Sequence, residues 1–190
     1  YFNKTSLGMK SKLSIVFLLF FLSTFVMKAQ NSENKWTFGL SAASALYFQQ
    51  DGKKVGGTFI NQTPRVSVSR YLFNNLTMDA SFSTSALDTQ EYTSLDGTMR
   101  YDFGASYDNV VPYVLLGGSL ITADQLTPTL NFGVGNTFWF SPSYGVNFQL
   151  MYKFSETRFT TQFSHFYPSI GLVYSFKPRN MSMRLWDRKH

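Results

Sequence analysis

From residue 35 to residue 176 the chain keeps one rhythm. Segments of some ten to fourteen residues alternate apolar and polar side chains, and each ends at Gly, Pro, Asn, Asp or Ser. Eight such segments fall at about 35–48, 58–72, 76–87, 92–103, 112–120, 127–140, 144–154 and 163–176. Successive side chains of a β-strand point to opposite faces, so this alternation marks strands with two unlike faces, and no competing helical period is visible. In "SHFYPSIGLVYSF" (164–176), Phe166, Pro168, Ile170, Leu172, Tyr174 and Phe176 share one face, while His165, Tyr167, Ser169, Gly171, Val173 and Ser175 share the other. The first face is greasy and the second small or polar. What the greasy face touches decides the class of protein.

Two eight-stranded architectures share the pattern. A soluble barrel of the lipocalin type keeps its apolar face inside and a charged face in water. A membrane barrel inverts this, with lipid against the apolar face and a polar interior. The polar faces carry Arg65, Asp79, Asp96, Arg100, Asp102 and Lys153 among many Ser and Thr. Three charges of each sign are too few to solvate an outer wall, but they suit a closed interior where opposite charges pair. Of the 146 residues from 31 to 176, only 18 are charged, about half the ~25% of ordinary soluble domains. The segments also have the ~9–11 residues that a tilted membrane-crossing strand needs. The reading is therefore an all-β, eight-stranded, antiparallel up-and-down transmembrane β-barrel.

Aromatic residues near the segment ends fit two interfacial girdles. Trp36, Tyr101, Phe103, Tyr113, Phe140, Tyr144 and Tyr174 are expected at one rim, and Phe48, Phe59, Tyr92 and Phe166 at the other. Parity sends Arg70 outward near a strand end, where it can snorkel to headgroups. Asn136 is a second outward polar residue, without so simple an account. "PYVLLGGSL" (112–120) is apolar on both faces and cannot be oriented from its pattern.

The start of the chain reads as a secretion signal. Residues 1–8 are read as upstream of the initiator Met9. Lys10 and Lys12 form a positive region, Leu13–Met27 an apolar run of 15 residues, and Ala29–Gln30 a small-residue exit. That is the pattern of a signal peptide spanning 9–30, and the run is shorter than the ~20 residues of a spanning helix. No cysteine stands at the exit to carry a lipid anchor.

Four of the 17 basic residues precede position 31, which leaves 13 against 11 acidic ones. Segment 31–176 is net −2 and the tail 177–190 net +4, so the high isoelectric point reports the chain ends and not a nucleic-acid-binding face. Secretion also makes nucleic acid an unsuitable partner. An even strand number places both termini on one side, read as periplasmic. The connections at 49–57, 88–91, 121–126 and 155–162 are then extracellular, and those at 73–75, 104–111 and 141–143 periplasmic.

Three stretches, "PYVLLGGSL" (112–120), "TLNFGVGNTFWFSPSYGVNFQLMYKF" (129–154) and "SHFYPSIGLVYSF" (164–176), resemble the eight-stranded barrels of the outer membrane protein A family, in the version found in Bacteroidota. The likeness covers about residues 35–176. It implies an outer-membrane location in a Gram-negative bacterium, contact with lipid and lipopolysaccharide, and a terminal aromatic of the kind that barrel assembly machinery recognises. Many members of that family continue into a peptidoglycan-binding domain. Here only fourteen residues follow Phe176, so a tethering role is not carried over.

No catalytic, cofactor-binding or metal-binding set is expected. His165 could suggest a lipid A deacylase site with Ser164, Ser169 and Glu156, but parity turns it into the lumen, away from a lipid substrate. There, with the six charges, it is expected to join a lumen network. "GGSL" and "GVGN" are too weak for phosphate loops; within strands, such glycines leave room for bulky lumen neighbours. The basic tail, with Lys177, Arg179, Arg184, Trp186 and Arg188, is a candidate contact for a periplasmic partner or headgroups. The expected role is structural or accessory in the envelope. The alternatives are a narrow pore for small solutes and a lipid-modifying enzyme.

Overall fold

The computed structural model describes residues 36–49, 51–52, 57–86, 92–104, 108–123, 126–156 and 163–179. The signal at 9–30, the residues before it, and Arg184, Trp186 and Arg188 of the tail lie outside these. The described chain is eight strands: β1 (Trp36–Leu46), β2 (Phe59–Phe73), β3 (Leu76–Thr84), β4 (Thr93–Asp102), β5 (Val110–Thr122), β6 (Leu126–Trp139), β7 (Tyr144–Phe154) and β8 (His165–Ser175). Each pairs antiparallel with its sequence neighbour, and β8 pairs with β1 to close the barrel.

Closure leaves no sheet edge, so the backbone polar groups of the wall pair strand to strand, as a membrane requires. The β2–β3 link is a two-residue turn in which Asn74 and Asn75 both have positive φ, 44° and 65°. Asn tolerates that conformation, and its twist matches that of the flanking strands.

The barrel is inside out relative to a water-soluble one. Among the described residues, 32 large hydrophobic side chains are exposed, from Trp36 to Phe176, while the buried set is 12 apolar against 21 polar or charged. A water-exposed wall of this composition would be a continuous aggregation surface; against lipid it is the stable arrangement.

The register orients the one strand whose pattern is silent. On β5, Tyr113 lies opposite Asp102 and Leu115 opposite Arg100, which sends Val111, Tyr113, Leu115, Ser119 and Ile121 inward. Tyr113, expected in a girdle, is thus buried in the lumen, and so is Tyr92. Both carry a ring that fits either side and a hydroxyl that finds a partner inside, and their cross-strand neighbours decide. Trp36, Tyr101, Phe103, Phe140 and Tyr144 at one rim, and Phe48, Phe59 and Phe166 at the other, are exposed as expected.

Arg70 does face out. It stands opposite Trp36 in the register, and its guanidinium lies 5.2 Å from the centre of that ring.

One feature breaks the parity of a single strand. Ser41 pairs with Arg65 but Ala43 pairs with Gln62, so Thr63 and Pro64 together oppose Ala42. This β-bulge lets Gln62 and Arg65, three residues apart, both point inward. Pro64 lacks the N–H that a regular ladder needs, and bulges are where strands accept proline.

Candidate functional site

The lumen holds two polar clusters, one towards the loops and one towards the short turns. The loop-side cluster is centred on Asp96. Lys153 Nζ lies 2.7 Å from Asp96 Oδ1 and also donates to Ser94 Oγ at 2.7 Å. The Ser94 hydroxyl donates to the same carboxylate oxygen. On the other oxygen, Ser81 Oγ donates at 3.1 Å and Arg65 Nε stands 3.9 Å away. Arg65 Nη2 in turn donates to Ser81 Oγ at 2.8 Å, so the serine relays the guanidinium to the carboxylate. Arg65, Asp96 and Lys153 are all essentially removed from solvent, at 4%, 2% and 0% exposure. Burial at that level is tolerated because each charge is paired and hydrogen-bonded.

Aromatic rings close the space around this cluster. Lys153 Nζ sits 4.1 Å from the Tyr167 ring centre, and Tyr167 OH donates to Ser83 Oγ at 2.8 Å. His165 lies above, its ring 4.6 Å from that of Tyr47. His165 Nδ1 meets the Phe163 carbonyl at 2.8 Å, which fixes the proton there, because a carbonyl can only accept. Nε2 is then the acceptor for Tyr92 OH, 2.9 Å away. Ser164, the sequence candidate for a nucleophile, donates instead to the Ser155 carbonyl at 3.2 Å.

The turn-side cluster is looser. Arg100 Nε and Asp102 Oδ1 stand 2.9 Å apart, with side-chain exposures of 18% and 11%. Asp102 Oδ2 accepts from Thr77 Oγ1 at 2.9 Å, and Asp79 accepts from Ser69. The Arg100 guanidinium lies 4.5 Å over the Tyr113 ring. Tyr113 OH donates to Gln149 Oε1 at 3.1 Å and accepts from Asn147 Nδ2 at 2.8 Å; that amide also donates to Thr137 at 2.9 Å. Gly135 makes room for this ring, since a Cβ there would run into it and into the Phe148 carbonyl. A cavity of about 30 Å³, lined in part by Arg65, Asp79 and Arg100, separates the two clusters.

All seven residues of the expected lumen set therefore face inward, but in two groups: Arg65, Asp96, Lys153 and His165 in one, Asp79, Arg100 and Asp102 in the other. The tail adds a member that sequence pattern could not place. At the end of β8 the Ser175 N–H donates to the Ser143 carbonyl, and beyond it the Arg179 N–H donates to the Pro142 carbonyl, both at 2.8 Å. This turns the segment under the barrel and lays the Arg179 guanidinium 4.6 Å over Trp139, a buried ring at the turn-side mouth. Burial opposes its charge there, while the nearby carboxylates of Asp102 and Asp108 support it. Lys177 stays exposed.

No protein-family model and no curated protein matches the chain. Solved structures do. The N-terminal β-barrel domain of Pseudomonas aeruginosa OprF superposes with a TM-score of 0.60 at 14% identity, covering 76% of this chain and 98% of that one. The outer membrane protein OprG from Pseudomonas aeruginosa gives 0.53 at 12% identity, covering 76% and 96%. The fold is that of the eight-stranded outer-membrane β-barrels, reached by a sequence with little else in common with theirs.

Proposed function

We propose that this chain is an integral outer-membrane protein of a Gram-negative bacterium, with periplasmic termini, and that its closed barrel serves the envelope as a structural or accessory subunit and not as a catalyst. It is read as similar to the outer membrane protein A-like barrels of Bacteroidota. The observation that carries the reading is the Lys153–Asp96 contact, 2.7 Å long and fully buried, between strands β7 and β4 on different sides of the lumen. The interior of an eight-stranded barrel is only wide enough for side chains to fill, and a cross-lumen pair flanked by Arg65 and Tyr167 occupies it. The partners are lipid and lipopolysaccharide around the wall, and other envelope proteins reached through the loops or through a tail that includes Lys177, Arg179, Arg184, Trp186 and Arg188. Reconstitution of the purified chain in planar bilayers is expected to give no current steps of general-porin size; regular steps of that size would overturn the plugged-lumen reading. A mild-detergent pull-down from native membranes, read by mass spectrometry, then identifies the assembly.

A narrow pore is the second reading. It is favoured by the polar cavity between the clusters, whose 30 Å³ holds about two waters at the 10–15 Å³ each requires. Small, rare conductance steps that grow when Lys153 is replaced by Met would support it. The lipid-modifying reading is disfavoured by the bonding of His165 to Tyr92, with Ser164 turned to backbone. Deletion of the gene is expected to leave the lipid A profile unchanged.

A further inference from the structure

Asn136 was the outward polar residue with no simple account, and it lines a groove of about 680 Å³ in the outer wall that crosses β2, β1, β8, β7 and β6. The register explains the groove. Ala42 stands opposite Ile170, Ile170 opposite Phe148, and Phe148 opposite Asn136. One step nearer the loops, Ser44 stands opposite Asn61. The outward side chains along β1 are small here, the bulge at Thr63–Pro64 displaces β2, and Phe59, Phe148 and Ile170 are exposed around them.

The groove is also where the wall departs from hydrocarbon character. Thr63 Oγ1 donates to Asn61 Oδ1 at 2.7 Å, and Asn136 Oδ1 is buried without a protein partner. Polar groups facing hydrocarbon are costly and persist where something meets them. Their order is informative. Ser44 and Asn61 lie two residues from the loop-side ends of β1 and β2, and Asn136 lies three from the turn-side end of β6. Because barrel strands tilt by ~35–45°, a band at right angles to them descends the wall. It runs from a polar end under the loop rim, over Ala42, Pro168 and Ile170, to Asn136 near the other rim.

The groove is continuous with the apolar band of the wall, so the molecules that reach it are those of the bilayer. Taking the loops to be extracellular, as proposed above, its upper end lies in the outer leaflet. We infer that it seats an acyl chain of lipid A. The amide or ester linkage and chain hydroxyl of that lipid meet Ser44, Asn61 and Thr63, and its methylenes run over Ala42, Pro168 and Ile170. An amide-linked 3-hydroxyacyl chain carries its amide at the sugar and its hydroxyl two carbons further down, just below the headgroup, as these side chains lie just below the loop-side strand ends. A phospholipid chain is bare below its ester.

The full chain, purified from outer membranes in mild detergent, is expected to retain lipid A by native mass spectrometry. Combining Ala42→Phe with Ser44→Phe fills the groove floor and is expected to lower retained lipid A ~10-fold, the effect of a built-in clash. Leu116→Phe, on the far wall, is expected to leave retention unchanged; heat-dependent gel mobility confirms that both variants fold. Equal retention by wild type and the filled variant overturns the inference, as does retained phospholipid in place of lipid A, or cross-linking from Ala42→Cys to a second copy or another protein. Labelling of Asp51→Cys on intact cells with a membrane-impermeant reagent separates the two readings. Labelled loops with no lipid A retained sink the seat alone, whereas unlabelled loops sink the orientation and the seat together.

Discussion

The two lumen clusters solve one problem in different ways. Around Asp96, two cations meet one carboxylate, all three are sealed from solvent, and serines take up much of the remaining bonding capacity. Around Arg100, one cation faces two carboxylates, the pair keeps 18% and 11% of its side-chain surface exposed, and the Tyr113 ring stands 4.5 Å from the guanidinium. The loop-side cluster thus carries an excess positive charge and the turn-side cluster an excess negative one, with Arg179 stacked on Trp139 below the negative end. The first group is held by its counter-charges in a sealed space; the second keeps some exposed surface and leans on the Tyr113 ring as well. The two ends of the barrel should therefore fail for different reasons.

The largest effect is expected at Lys153. Lys153→Met leaves Asp96 buried with Arg65 alone at 3.9 Å, and breaking a buried pair costs about 3–5 kcal/mol. Denaturant unfolding in lipid vesicles measures this, and Asp96→Asn, which leaves both Lys153 and Arg65 buried without a carboxylate, should cost at least as much. A cost below about 1 kcal/mol, the level of a surface pair, would erase the distinction between the clusters. Gly135→Val comes next, at roughly 1–3 kcal/mol, because overpacking forces the Tyr113 ring or the β7 backbone to move. It should shift the near-ultraviolet signal of the tyrosines, which Lys153→Met should change less. Arg100→Gln is expected to cost less than Lys153→Met, because its pair keeps part of its side-chain surface exposed. Its effect should shrink in high salt while that of Lys153→Met persists, and a salt-independent loss would mean that the turn-side pair is drier than its 18% and 11% exposures indicate.

Much of this was legible in the residues themselves. The alternation gives all eight strands to within a few positions, and the charges of the polar faces all turn inward as parity dictates. What parity cannot give is the grouping. Arg65 on β2 and Asp96 on β4 meet across Ser81 of the strand between them, and only the register supplies that. Tyr113 and Tyr92 mislead because an aromatic ring with a hydroxyl suits both an interface and a polar interior. The bulge left a signal, Pro64 within a strand pattern, though alternation around Arg65 alone does not require it. Arg179 follows a segment without periodicity, and its place at the mouth comes from backbone bonds to Pro142 and Ser143.

The extra residue at Thr63–Pro64 also sets which length changes this wall can absorb. Deleting Pro64 would return β2 to unbroken alternation with Gln62 and Arg65 still aimed inward. Deleting one residue among 66–68 would rotate one flank of β2 by half a turn, putting either the Arg65 guanidinium or the Ser69 hydroxyl among fatty tails. Natural variation in the length of this strand between residues 59 and 70 should therefore concentrate at that position.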